Sequence, residues 1–257
     1  MFGRDPPGWR DCSVQGSKML APDSSLADQE WLAPVWGNYQ SNLRFLQQVQ
    51  FFDCRAAVLE IGCGKGLLLK RLWDMGYSVC GIDIDPAPIA ECHASLPMID
   101  VRVASGDAIP FEARSFDVVL SFDVFEHIRD SDRHLQEVAR VLKPGGRYLL
   151  QTPNKWTNLP FELLRCWRKY GVGPFGSYRK ITKEHCALHN YWQLRRRFAR
   201  HGFHVTFVDV PVVNDYFITK LRTYLGAAAG PMLSMFNPDR FPQQLRTNFY
   251  LHAQRTH

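Results

Sequence analysis

A glycine-rich turn between a short apolar run and a helical pattern constrains this chain more than any other feature. The run 57–61 is followed by glycines at positions 62, 64 and 66, and a helix-forming stretch starts at Leu67. A strand that enters a glycine turn and leaves it as a helix lets the backbone approach a ligand closely. The first N–H groups of the helix then face any carboxylate or phosphate bound there. The turn therefore predicts a ligand site at the end of a buried strand.

The same alternation of strand and helix continues along the chain. We expect further strands over 78–84, 98–104, 117–122 and 147–152, with helices over 67–75, 86–95 and 132–142. Strands that alternate with helices of about ten residues indicate βαβ units, right-handed crossovers and a parallel sheet. A helix over 191–201 and strands over 204–210 and 247–253 extend the pattern. The predicted fold class is α/β, with a doubly wound sheet and helices on both faces.

The remaining segments divide the chain into an arm, one domain and two insertions. Residues 1–25 mix Gly, Pro, Asp and Ser without periodicity and are predicted to be a flexible N-terminal arm. Residues 26–257 would form one domain. The connections 153–190, with a predicted helix over 159–170, and 211–243 are too long for plain loops. We expect them to form a cap over the substrate.

Composition and cysteine usage exclude several classes of protein. The 257 residues are 46% hydrophobic and 22% charged, which excludes overall disorder and collagen-like or coiled-coil proteins. The apolar runs are shorter than the ~20 residues of a membrane span, and we expect no secretory signal at the N-terminus. Seven cysteines without a C-x-x-C pair fit neither a disulfide scaffold nor a zinc ribbon, so we expect a reducing cytoplasm.

Charge is distributed unevenly between the two halves. Residues 1–150 carry 15 basic and 20 acidic residues, whereas residues 151–257 carry 16 basic and 5 acidic residues. A basic half indicates either an anionic partner or a solvated surface. The run 195–197 would spread around its helix and is interpreted as solvated. The candidate anion-binding residues are Arg165, Arg168 and Lys169.

The spacing of the glycines distinguishes two kinds of nucleotide site. The dinucleotide fingerprint G-x-G-x-x-G requires glycine at position 67, where this chain has leucine, and the spacing here is G-x-G-x-G. Asp83 follows Gly66 by seventeen residues, at the end of the second predicted strand. An acid at that place can accept hydrogen bonds from both hydroxyls of a ribose. These residues leave open any adenosine-containing cofactor.

Five motifs then occur in order along the chain: VLEIGCGKG, GIDID, SGDAIPF, SFDVVLSFDVFEHI and RVLKPGG. Together they resemble the class I S-adenosylmethionine-dependent methyltransferases, on the side of small-molecule O-methyltransferases such as those of the ubiquinone pathway. The resemblance is close over residues 56–152 and looser over 191–210. It implies S-adenosyl-L-methionine as the cofactor. It also implies a Rossmann-like sheet of seven strands, six parallel and the last antiparallel.

The resemblance assigns roles to single residues. Glu60 and the glycines would line the methionine moiety, Asp83 would hold the ribose hydroxyls, and Asp107 would accept from the adenine amino group. Ile84 would pack on the adenine ring. The residues implied at the cofactor site are Glu60, Gly62, Cys63, Gly64, Gly66, Asp83, Ile84, Asp107, Ala108 and Ser121.

Asp123, Glu126 and His127 are the candidates for the chemistry, and on a helical turn they would share one face. A hydroxyl nucleophile must lose its proton, so we predict His127 and Asp123 as catalytic residues. The segment also resembles the E-x-x-E-H of metal-dependent RNA 2′-O-methyltransferases, with His185 or His189 as a further ligand. We assign no metal, and a structural role for His127 stays open.

We therefore predict O-methylation of a small or lipid-like molecule by in-line methyl transfer. The alternatives are a metal-assisted RNA 2′-O-methyltransferase, an NAD(P)-dependent oxidoreductase and a cofactor-binding regulatory protein without activity. No RNA-stacking motif or basic tail is visible, so nucleic acid is the less favoured partner. The amphipathic stretch 216–225 predicts a lid over the substrate or a peripheral contact with a membrane.

Overall fold

The computed structural model describes residues 38–53, 56–157, 186–211 and 226–256, together with positions 213, 218, 221 and 222. One sheet contains seven strands: β1 (Ala57–Ile61), β2 (Ser78–Asp83), β3 (Asp100–Val103), β4 (Phe116–Phe122), β5 (Leu142–Pro153), β6 (Phe203–Val208) and β7 (Asn248–Arg255). Their order is β3-β2-β1-β4-β5-β7-β6. β7 is antiparallel to both of its neighbours, and the other six strands are parallel to one another. This is the predicted Rossmann-like sheet.

Helices lie on both faces of the sheet. They are α1 (Tyr39–Gln48), α2 (Leu67–Asp74), α3 (Pro86–Ser95), α4 (Ser131–Val141), α5 (Tyr191–Arg200) and α6 (Ala229–Met235). The side chains of Asp85 and Asp130 accept backbone N–H groups at the starts of α3 and α4. Asn190 and Gln193 form a reciprocal capping box at the start of α5. Within the part of the chain described, no helix combines the length and apolarity needed to cross a bilayer.

The predicted elements agree with the structure except at two strands. The predicted helices that are described agree to within one residue, and most strands to within two. β3 begins only at Asp100, because residues 97–99 form a turn after α3. β5 begins at Leu142, before the predicted strand 147–152, and its pairing with β4 shifts register between Phe116 and Val118. The arm 1–25, the helix predicted over 159–170 and most of 216–225 lie outside the described residues.

Apolar side chains pack against the sheet in two clusters, one on each face. Phe45 of α1 and Leu72 of α2 belong to the first cluster, and Leu135 of α4 and Phe198 of α5 belong to the second. Successive residues of β4 alternate between them, as the pleat of a strand requires. The two clusters fix the strands, and with them the loops that leave the carboxyl edge of the sheet.

His134 is a fully buried polar side chain within this packing. Its Nδ1 lies 2.7 Å from the carbonyl of Gly106 and its Nε2 lies 2.8 Å from the hydroxyl of Tyr148. A carbonyl can only accept, so Nδ1 carries the proton and Nε2 accepts from the hydroxyl. Burial lowers the pKa of His134 to about 4, so the ring is neutral at physiological pH. The ring thereby ties the loop after β3 to α4 and β5.

The neutral His134 makes stability depend on pH. Its pKa is 6.5 as an ordinary side chain and about 4 when folded, so the unfolded chain takes up the proton first. The stabilisation that comes from the neutral His134 is complete above pH 6.5 and disappears as the pH falls towards 4. Over that window we expect the wild type to lose about 3 kcal/mol more free energy of unfolding than His134→Asn.

Urea unfolding followed by far-UV circular dichroism at several pH values measures this difference. His93 is exposed on α3, so His93→Asn should keep the pH dependence of the wild type. Parallel pH profiles for the wild type and His134→Asn would contradict the assignment.

Candidate active site

The glycine loop joins β1 to α2 at the carboxyl edge of the sheet. The N–H groups of Gly62 and Cys63 both donate to the carbonyl of Ile82, at 2.7 and 3.1 Å. Gly62 has a φ of +77°, and a Cβ on it would lie 2.2 Å from Cγ2 of Val124. Glycine is therefore required at position 62, because the loops after β1 and β4 touch there.

Asp83 connects the end of β2 to this loop. One carboxylate oxygen accepts the N–H of Gly64 at 2.9 Å, and the other accepts the N–H of Asp85 at 2.9 Å. The N–H of Ala104, after β3, donates to the Asp83 carbonyl at 2.9 Å. The neighbouring Ile84 leaves 74% of its surface exposed. A charged acceptor and an exposed apolar side chain thus stand side by side, as a ribose and a base would require.

Glu60 is a buried carboxyl group directly before the glycine loop. It is 8% exposed, and its Oε2 has no hydrogen-bond partner among the described residues. Burial, together with the nearby charge of Asp83, raises the pKa of Glu60 to about 8. A buried acceptor without a donor is costly. A ligand that brings a cationic donor to Glu60 would remove that cost, so this residue fits the ammonium group of an amino-acid moiety.

The remaining residues implied for the cofactor lie around this edge. The Cys63 thiol packs in the first apolar cluster, where burial raises its pKa, and the Cys63 carbonyl accepts the N–H of Gly66 at 2.9 Å. Gly66 begins α2 with a φ of +79°, and a Cβ on it would clash with Cys92 of α3. Asp107 and Ala108 lie on the loop after β3, where Arg133 Nε donates to the Asp107 carbonyl at 3.0 Å. The Ser121 side chain is buried near the end of β4, beside Ile61 of β1 in the sheet register.

Asp123 is held in an unusual backbone conformation. Its φ is +56°, which a residue with a Cβ rarely adopts. Its N–H donates to Oε1 of Gln151 at 2.9 Å, and both oxygens of its exposed carboxylate lie 3.0 Å from Nδ2 of Asn38. Asn38 and Gln151 thus position a predicted catalytic carboxylate, and neither was identified from the sequence. No local signal could have found Asn38, which lies 85 residues from Asp123 along the chain.

Asp123, Glu126 and His127 do not share one face, contrary to the sequence prediction. A 3₁₀ turn covers only Phe125–His127, and the conformation of Asp123 redirects the chain before it. Glu126 is buried and accepts from the Thr152 hydroxyl at 3.1 Å, whereas His127 is exposed. Burial and the charge of Asp123 raise the pKa of Glu126 to about 8. The Glu126 side chain therefore points into the protein, towards β5, whereas the side chains of Asp123 and His127 are exposed.

The structure also tests the histidines considered as metal ligands. His185 lies outside the described residues, and His189 is buried with its ring centroid 5.4 Å from that of Phe125. Burial lowers the pKa of His189 to about 4. No group of three or more His, Cys, Asp or Glu side chains suited to a metal occurs among the residues described.

Known proteins resemble this chain in sequence and in fold. Residues 59–150 match the family model of the methyltransferase domain. A probable S-adenosylmethionine-dependent methyltransferase from Mycolicibacterium smegmatis is 40% identical over 103 residues, which are 40% of each chain. The mitochondrial ubiquinone biosynthesis O-methyltransferase of Homo sapiens is 42% identical over 114 residues, 41% of this chain and 31% of that protein. The chain thus spans about half of the length of such curated relatives, or less.

A solved structure extends the likeness beyond the matched segment. An S-adenosylmethionine-dependent methyltransferase from Mesorhizobium loti aligns with a TM-score of 0.58 and 19% identity, covering 86% of this chain and 99% of that chain. At this identity the alignment establishes the fold and not the substrate.

The contact between Gly62 and Val124 generates a stability prediction. Gly62→Ala combines an unfavourable positive φ with a Cβ 2.2 Å from Val124, and should lower the free energy of unfolding by about 3 kcal/mol. Gly64→Ala is the matched control. Its φ is +52° but its Cβ would meet nothing within 4 Å, so backbone strain alone should cost about 1 kcal/mol.

Urea unfolding measures both variants, and the double change Gly62→Ala with Val124→Ala should recover part of the loss. Equal losses at positions 62 and 64 would show that the two loops do not meet as described.

Proposed function

We propose that this chain, which belongs through residues 59–150 to the class I methyltransferases, transfers a methyl group from S-adenosylmethionine to a hydroxyl of a small or lipid-like molecule. Its active site would be the carboxyl edge of β1, β2 and β4. The proposal rests on the chemistry of the residues at this edge, and above all on Glu60.

Glu60 is a buried carboxyl group directly before the glycine loop, and its Oε2 has no hydrogen-bond partner among the described residues. S-adenosylmethionine carries an ammonium and a carboxylate on its methionine part, and the loop supplies complementary groups for both. Glu60 would accept from the ammonium, and the first N–H groups of α2 would receive the carboxylate. A nicotinamide dinucleotide brings no ammonium to Glu60, which favours the methyl donor.

The residues after β2 and β3 would hold the nucleoside. Asp83 already accepts two backbone N–H groups and is oriented before any ligand arrives. Its remaining lone pairs would receive the ribose hydroxyls, with Ile84 against the base. Asp107 would accept from the adenine amino group. Glu60 and Asp83 stand at the carboxyl ends of the neighbouring strands β1 and β2, and Asp107 lies on the loop after β3.

Methyl transfer to a hydroxyl requires orientation of the acceptor and removal of its proton. The bound cofactor supplies an electrophilic methyl group on a sulfonium. His127 would take the hydroxyl proton as base, and the carboxylate of Asp123 would orient the acceptor or the imidazolium that forms. Asp123 is suited to this because Asn38 and Gln151 hold it in place. Glu126, whose pKa is about 8, keeps its proton at neutral pH and would act as a positioning residue.

The class of substrate is supported by the relatives. Several are named ubiquinone biosynthesis O-methyltransferases, and a hydroxyl on a lipid-like aromatic molecule is the acceptor such a name implies. The described cysteines, Cys63, Cys80, Cys92 and Cys186, are free thiols, which supports the proposed cytoplasmic location.

Calorimetric titration and a substrate screen test the proposal together. S-adenosylmethionine and S-adenosylhomocysteine should bind with micromolar affinity (~−8 kcal/mol), whereas NAD should not bind. Methyl transfer from labelled cofactor should then appear with catechol-type phenols and not with amines. If RNA is methylated and a metal chelator abolishes that activity, RNA 2′-O-methylation replaces the proposal. Cofactor binding without turnover on any class would replace it by a regulatory role.

Protonation of Glu60 provides a prediction specific to this chain. At pH 7 its carboxyl group, with a pKa of about 8, is mostly protonated, and a bound ammonium would favour the charged form. Binding of S-adenosylhomocysteine should therefore release close to one proton. The released proton appears as a dependence of the calorimetric enthalpy on the ionisation enthalpy of the buffer, measured in phosphate and in Tris.

Glu60→Gln should abolish this buffer dependence and weaken binding, because the amide cannot ionise. Glu126→Gln is the matched control, since it removes a second buried carboxyl group with a pKa of about 8 that the proposal does not pair with the ammonium, and it should leave the release unchanged. The same buffer dependence in wild type and Glu60→Gln would place the ammonium elsewhere.

A second prediction concerns the proposed base. On the best substrate of the screen, His127→Ala should lower kcat about a hundredfold or more, with S-adenosylhomocysteine affinity unchanged. His93→Ala, on the exposed surface of α3, should leave kcat as it is. A parallel loss of cofactor affinity in His127→Ala would show that His127 is structural.

A further inference from the structure

A strongly basic cleft opens beside the turn that carries His127. It lies between α5, the segment before α5 and the start of α4, and has a volume of about 360 Å³. Its basic wall consists of Arg129, Arg196, Arg197 and Arg200. The volume lies within the range of small-molecule sites.

The helical spacing explains how one helix supplies three of these arginines. Positions 193, 196, 197 and 200 follow the i, i+3, i+4, i+7 pattern of one helix face, and all four line the cleft. Arg195 does not line it and is exposed. The run 195–197 thus spreads around the helix as predicted, with the exposed Arg196 and the partly exposed Arg197 lining the cleft and Arg195 on the outer surface. The other anion-binding candidates, Arg165, Arg168 and Lys169, lie outside the described residues.

The charges in the cleft are incompletely compensated. Arg197 lies 3.0 Å from Asp132, whose other oxygen is 2.9 Å from Nε2 of His201. Among the described residues, Arg129 and Arg196 form no ion pair, and Arg200 acts on Asp132 only at longer range. Like charges confined to one cleft raise its free energy unless an anion binds between them.

We propose that this cleft binds a phosphate or pyrophosphate group, either free or at the head of a lipid. Guanidinium groups present planar, paired donors that match phosphate oxygens, and several around one cavity favour a multivalent anion over a single carboxylate. The site adjoins the active-site turn through two hydrogen bonds. The N–H of Ala187 donates to the carbonyl of Glu126 at 2.9 Å, and the Cys186 thiol donates to that of His127 at 3.2 Å. The proposal is independent of methyl transfer, because it concerns binding alone.

Calorimetry with pyrophosphate at low ionic strength, in a buffer free of phosphate, tests the site directly. Arg196→Ala and Arg200→Ala should each raise the Kd about tenfold, since each removes charge-assisted hydrogen bonds. Arg195→Ala is the matched control, because it removes the same charge from the same helix outside the cleft. All three side chains are exposed, and urea unfolding of each variant verifies that the fold is unchanged.

Cosedimentation with phosphatidylcholine vesicles, with and without phosphatidic acid, separates the two sources of the anion. Binding to phosphatidic acid vesicles alone, with the same dependence on Arg196 and Arg200, assigns the site to a lipid headgroup. Binding of soluble pyrophosphate with that dependence assigns it to a free phosphate compound. Three results would overturn the proposal: no binding of either probe, an equal loss in Arg195→Ala, or binding only of an oligonucleotide that all three variants weaken equally.

Discussion

The close approach of the loops after β1 and β4 organises the rest of the site. Gly62 and Val124 meet in a space that has no room for another carbon atom. Because β1 and β4 are neighbours in the sheet, this contact brings Asp123 and His127 alongside the glycine loop. The groups suited to a nucleoside and the groups suited to an acceptor thus come from separate parts of the chain. The Val124 side chain, packed against Gly62, joins the two loops.

Two buried carboxyl groups show where stability is given up at this edge. Glu60 and Glu126 both lie in surroundings that raise their pKa values to about 8, although apolar residues of similar size would pack there without that cost. The strained backbone of Asp123 has the same character. Such features cluster at functional sites, and here all three occur within two adjacent strand ends.

The sequence predictions were accurate where the interactions are local in the chain, and they failed where residues distant in the chain meet. β1, α2 and α3 were predicted closely because apolar runs, glycines and caps act locally, and the acid ending β2 could be recognised for the same reason. The contact of Asn38 with Asp123 depends on tertiary packing, so no spacing rule could reveal it. The positions of Glu126 and His127 were mistaken because the left-handed conformation of Asp123 resets the helical phase assumed for that segment. The division of the arginine run also requires knowing which face of α5 packs on the sheet.

The position of β7 has a consequence for how the protein assembles during synthesis. β6 pairs only with β7 in the described sheet, and β7 follows it in the chain and inserts between β5 and β6. Strands β1 to β5 can associate as their residues leave the ribosome, but β6 must wait for a later strand before its backbone is paired. Until then β5 presents an open edge to the cell. A chain that stalls before residue 248 would therefore expose that edge and be a substrate for chaperones or for aggregation.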